Sequence, residues 1–188
     1  GDHRDLHSFP TRRSSDLEVV FEKVPETLEE FTSLPQAELS DPFDTAALTV
    51  LALCVYPVDR DLSLSMLDYL REPRPMNNVE KHLIADKFTE QDYIPRSYFD
   101  GAVPENGYSP SVPYTIRISD DEYSYINKGH TSLNVRSGGA DSPRKINLRL
   151  GEDNRWHLWE QFLLIGVQKP QERRPEPEAS SRSRFKAS

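Results

Sequence analysis

Cysteine is almost absent from this chain of 188 residues. Cys54 stands alone, so no internal disulfide framework is available. It lies in the apolar run Ala46 to Tyr56, where a free thiol acts as a small core hydrophobe and burial opposes the reactive thiolate. Long hydrophobic runs are missing as well. That same run, about 11 residues, is the longest, and a membrane-spanning helix needs about 20; no span of a bilayer is expected. Histidine is sparse, and His82, His130 and His157 are too far apart in sequence for metal-ligand spacing. No Ser/His/Asp order, paired catalytic carboxylate or Cys/His set is present, so no catalytic residue, metal ligand or cofactor is assigned. Excess positive charge is lacking too. The net charge is −8; the first 17 residues are neutral and the tail from Pro170 is basic, which leaves −10 for the stretch between them. An acidic domain repels phosphate backbones, which argues against nucleic acid as a partner.

What is present opens with an anomaly. Gly1 to Leu17, GDHRDLHSFPTRRSSDL, back-translates in one frame, residue for residue, into a common short-read sequencing adapter. It is read as an assembly scar rather than protein, expected to be disordered, and His3, His7, Ser8, Arg12 and Arg13 receive no role. A native start upstream, with any leader it carried, stays open. Residues 18–169 are expected to form a single domain, long enough for a sizeable core. The Glu/Arg/Pro/Ser tail of residues 170–188 cannot bury apolar surface and is expected to be disordered.

Within the domain, Glu18 to Val24 alternates weakly as a short strand. Thr27 and Glu30 have capping-box spacing before a short helix to Leu34. Asp41-Pro42 is a stronger start signal, a capping carboxylate followed by proline at the first helical position. The helix it opens, to Tyr56, is apolar on nearly every side and therefore central. Asp61 or Ser63 caps the next, with Leu62, Met66, Leu67 and Leu70 on one stripe. Asn77 or Asn78 opens a fourth, with Val79, Leu83, Ile84 and Phe88 inward. Tyr93 to Pro113 is a long loop with one turn at Arg96 to Phe99. Period-2 runs at Tyr114–Ser119, Ser132–Arg136, Lys145–Leu150 and Trp156–Ile165, joined by polar turns, predict an antiparallel meander. Helices first and strands second give an α+β fold, the helices packed on one face of the sheet; by analogy it is cone-like, as in nuclear-transport-factor or cystatin-type folds.

Two segments are candidates for a site. Ser137 to Arg144, SGGADSPR, has two glycines that permit positive φ, and Asp141, Ser142 and Arg144, which together suit an anion nest. The same string also fits a wide hairpin in which Arg144 is held by a buried acid, Asp141 or Glu160. The loop from Tyr93 offers Arg96, Tyr98 and Tyr108 as ligand-binding residues on a rigid aromatic surface. Of Trp156 and Trp159, alternation sends one to the core and the other outward.

The strings KVPETLEEFTSLPQAEL, PFDTAALTVLALCVYP, MLDYLREPRPMN, YIPRSYFDGAVPENGYSPSVPYT, VRSGGADSPR and LWEQFLL, spread over about residues 20–170, resemble a bacterial family known as a domain of unknown function, common in Gram-positive gut anaerobes. The chain departs from that pattern at Asp121-Glu122, where an Asn-Pro turn is usual, and in the Arg-rich tail. The resemblance implies a small, bacterial, cytoplasmic domain and brings no reaction, cofactor or catalytic residue. The expected role is a non-enzymatic binding or interaction module whose partner is a protein or a small anion. The alternative is a small-molecule-binding or enzymatic cone fold with its pocket between sheet and helices. An interior filled by Leu, Phe and Trp would exclude that alternative; a pocket of several hundred Å³ lined by Arg or His would favour it.

Overall fold

The computed structural model describes residues 15–171. Five strands form one antiparallel sheet in chain order: β1 (Asp16–Phe21), β2 (Tyr114–Ser119), β3 (His130–Val135), β4 (Arg144–Leu150) and β5 (Trp156–Gln161). The helices α1 (Leu28–Thr32), α2 (Pro42–Val55), α3 (Arg60–Leu70) and α4 (Asn78–Glu90) fall between β1 and β2. The fold is α+β, as the patterning predicts. β1 starts at Asp16, so the expected edge of the foreign segment, Leu17, lies inside a strand and pairs with Ile118. Residues 1–14 and 172–188, to which most of the expectations about the two ends apply, lie outside the described residues.

The helix starts are local chemistry. The Asp41 carboxylate accepts from Phe43 N–H at 2.9 Å with Pro42 behind it. Asn77 and Glu80 form a reciprocal capping box at 2.9 Å each way. Thr27 accepts from Glu30 N–H, but the Glu30 carboxylate reaches one residue further back, to Glu26 N–H. α3 is capped by neither residue expected; Asp59 does it, accepting from Leu62 N–H at 3.0 Å.

α2 is the central helix. Every residue from Thr45 to Leu53 is buried, and the helix packs across all five strands. Its two buried threonines each find a carbonyl: Thr49 Oγ1 donates to Thr45 C=O one turn back, and Thr45 Oγ1 to Trp156 C=O of β5. α2 thus occupies the sheet face where a cone-like fold would hold its cavity. Beyond it, Tyr56 stacks on Phe88 of α4 with centroids 4.4 Å apart. α4 corrects one expectation. Ile84 and Phe88 are buried, but Val79 and Leu83 are 69% and 64% exposed. Residues 84 and 88 make one stripe, and 79 and 83 make the adjacent one, which no element of the described residues covers.

The long loop is an interior corner rather than a surface display. It holds two 3-10 turns, Ile94–Tyr98 and Pro104–Asn106. Asp100 ties its middle to the sheet through Thr115 C=O at 2.8 Å, and Phe99 bridges to Ile116.

Candidate functional site

The structure brings the two candidate segments together and turns their side chains inward. Tyr98 is 2% exposed and donates its hydroxyl proton to Leu163 C=O; Tyr108 is fully buried and donates to Gln168 C=O. Burial pushes both phenols up, Tyr108 to about 12, with Tyr93 and Glu105 adding to it. Tyr108 also stacks on Tyr93 at 5.5 Å. The expected aromatic surface is therefore absent, because each ring spends its face on the core and its hydroxyl on the 163–168 segment. Arg96 is half-buried near Cys54; burial raises that thiol and the guanidinium only partly opposes it.

In SGGADSPR, neither Gly138 nor Gly139 has a positive φ. They are glycines because of close approach: a Cβ on Gly139 would lie 1.9 Å from the Tyr108 hydroxyl, and one on Gly138 would lie 2.0 Å from Ala102 C=O. Arg144 is not held by a buried acid. Its Nε donates to Ile165 C=O and its Nη2 to Gly166 C=O, both at 2.7 Å, while Nη1 donates to Ser142 C=O at 3.0 Å and Oγ at 3.1 Å. Asp141 is 91% exposed and 3.4 Å away. Asp141 and Ser142 line an open cleft of about 450 Å³ that also contains Asp16, Glu18 and Arg117, and Arg117 is already paired with Glu18 at 2.7 Å and Asp100 at 2.9 Å.

A different set of residues has the character of a site. The β4–β5 register slips by one between Asn147 and Leu148, and the extra residue this puts into β5 is Trp159. A bulge re-aims side chains and is frequent beside functional sites. Trp159 is 39% exposed, with the Arg74 guanidinium 3.8 Å and the Arg149 guanidinium 4.5 Å from its ring centroid. Arg74 also donates to Trp159 C=O at 2.8 Å. Around them is a cleft of about 650 Å³, lined in addition by Arg71, Asp153 and His157. It lies at the β5 edge, where the loop after α3 meets the β4–β5 turn, not between sheet and helices.

Two polar side chains of this cleft are incompletely used. Arg71, 9% exposed, donates from Nη2 to Glu80 Oε1 at 2.8 Å, but its buried Nε has no hydrogen-bond partner. Burial works against the Glu80 carboxylate, yet Arg71 and Asn77 N–H outweigh it and hold its pKa below the ordinary value. His157, 7% exposed, faces both Asp153 oxygens with Nε2, at 2.8 and 3.1 Å, while its buried Nδ1 has no partner. Because a carboxylate can only accept, Nε2 carries a proton, and Nδ1 is an acceptor in the neutral ring and a donor in the charged one. A partial desolvation of Asp153 is outweighed by His157 and Arg155 N–H, and its pKa is lowered. Buried unpartnered nitrogens are uncommon and costly. Beside these two residues the cleft is lined by two further guanidiniums, Arg74 and Arg149, an indole, and the carboxylates of Glu72, Glu152 and Asp153; its guanidinium and indole side can receive an anion with an unsaturated or ring portion.

Sequence reasoning missed this cluster. The readable signal was GEDNRWH, where a polar turn places Asp153 four residues before His157; Arg71 and Arg74 carry no comparable mark. Among the described residues, no group of three or more His, Cys, Asp or Glu is arranged to hold a metal, and no helix is long and apolar enough to cross a membrane.

A family model described as domain of unknown function (DUF6935) matches residues 23–171, and the chain belongs to that family. No curated protein and no solved structure matches it.

Proposed function

We propose that this member of the family is a non-enzymatic binding module that holds a small anionic molecule in the cleft around Trp159. The observation that carries the reading is the pair of exposed guanidiniums, Arg74 and Arg149, held 3.8 and 4.5 Å from the Trp159 ring centroid in one cleft. A carboxylate or phosphate oxygen would accept from the exposed guanidiniums of Arg74 and Arg149, which supply attraction and orientation. Cleft size and an Arg- and His-bearing lining support the small-molecule reading over a protein-interaction one, whose motive was an exposed Tyr98 and Tyr108. Ligand chemistry at SGGADSPR has weaker support, since Arg144 has already committed all its donor nitrogens. The bacterial cytoplasmic setting belongs to this proposal and rests on the resemblance alone.

Thermal melts in increasing inorganic phosphate and in increasing succinate test it. The melting temperature should climb with ligand concentration, as it does for any ligand that binds only the folded state. Arg74→Ala and Arg149→Ala should abolish that climb while leaving the ligand-free melt within about 2 °C, as for exposed charges. A climb that survives both substitutions overturns the proposal.

A further inference from the structure

We propose that the ligand is an acidic oligosaccharide, one sugar carboxylate seated in the arginine cleft and the neighbouring rings lying across the outer face of the sheet. This rests on the anion-binding reading and names its substrate class. A second cleft, of about 750 Å³, opens on that face. The two meet at Trp159, which lines both, and their floors adjoin, since His130 of the second stands opposite Arg149 of the first in the β3–β4 register. The combined groove is longer than a small anion needs.

Its lining fits a polyhydroxylated chain. Asn127, Ser132, Asn147 and Glu160 supply amide, hydroxyl and carboxylate groups, and such groups donate to and accept from sugar hydroxyls. Tyr123 and Ile126 are 64% and 67% exposed at the rim, and a phenol ring offers a flat apolar face to the C–H side of a sugar ring. Lys128 continues the positive charge past Arg149. An extended acidic peptide fits less well. Peptides commonly dock by adding a strand to a free sheet edge, and the outer edge of β5 is taken. Trp156 N–H donates to Leu39 C=O, Trp156 C=O accepts from Thr45, and Trp159 C=O accepts from Arg74.

The test is calorimetric titration of the full chain with galacturonate and glucuronate, their tetramers, a neutral glucose tetramer, and a short poly-glutamate. An acidic tetramer should bind at least about tenfold more tightly than its monomer, because linked contacts add without a second association cost. The neutral tetramer should bind at least about tenfold more weakly than the acidic one, each tenfold being 1.4 kcal/mol. Tyr123→Ala and Lys128→Ala should each weaken the tetramer by about fivefold or more and leave the monomer unchanged. If tetramer and monomer bind equally, or the neutral tetramer equals the acidic one, this inference falls while the small-anion reading stands. Poly-glutamate binding as tightly as the acidic tetramer replaces the glycan by an acidic peptide. Phosphate binding without any sugar acid rejects the class, and no anion binding at all rejects both readings.

Discussion

Arg144 and the arginines around Trp159 are the same residue type in opposite situations. Arg144 is 16% exposed and gives its donors to three backbone carbonyls and a hydroxyl from two chain segments. Arg71 is as buried, yet one donor is left unused, and Arg74 and Arg149 lie over an indole at the protein surface. A guanidinium whose forks are full is a fastener. One that is held in place with capacity to spare is able to take a ligand. Partners, rather than residue type or loop composition, separate the two, and the corner around SGGADSPR belongs to the first kind.

The sharpest way to break that contrast is at the corner itself. Tyr98→Ala should destabilise the protein by about 4 kcal/mol, in the range for emptying a large aromatic site in a core. Urea unfolding measures it, and a loss under about 1 kcal/mol would restore Tyr98 to the surface role that its loop first suggested. Arg144→Ala should follow at about 2 kcal/mol, since several charge-assisted hydrogen bonds vanish, discounted because the carbonyls of Ser142, Ile165 and Gly166 are exposed and water can replace the donors. The loss should be the same with and without phosphate; a phosphate-dependent difference would make Arg144 a ligand residue after all.

The smallest effect tests the same rule with the sign of charge reversed. Asp44, in the first turn of α2, has its carboxyl pushed up to about 6, first by burial and then by the neighbouring Asp41 charge, and it makes no side-chain hydrogen bond among the described residues. The folded pKa lies above the unfolded one, so the carboxyl's favourable contribution is full below about pH 4 and is lost as pH rises through about 6. Asp44→Asn should therefore be more stable than the parent at pH 7.5 by about 1 kcal/mol, the nominal gain being discounted for exposure and for the helix N-terminus, which favours the anion. The advantage should vanish near pH 4. Equal stability at pH 7.5 would mean that solvent already satisfies the charge.

Much of the frame was readable. The Asp41-Pro42 start, the helix opening at Asn77 or Asn78, the greasy run of α2 and the alternation of β2 and β4 specify structure within a few residues of themselves, and they appear where expected. α4 shows where such reading stops. Val79 and Leu83 have the same spacing as Ile84 and Phe88, and periodicity names a stripe without saying whether a neighbour will cover it. The candidate site was legible only in fragments. Tyr98 and Tyr108 looked like surface because their loop is polar, but their hydroxyls find carbonyls 65 and 60 residues further along. Gly138 and Gly139 looked like turn glycines, but what excludes a side chain there is Ala102 and Tyr108.

By itself, the sequence determined the elements, their order and the α+β layering, because caps, turns and hydrophobic period act over a turn of helix or a pair of residues. Only the tertiary structure decided which arginines are fasteners and which are left with capacity. That depends on carbonyls, carboxylates and an indole arriving from distant segments: Glu80 for Arg71, Trp159 for Arg74 and Arg149, Ile165 and Gly166 for Arg144. The bulge that brings Trp159 to the cleft is likewise a matter of register between two strands, which neither strand encodes alone.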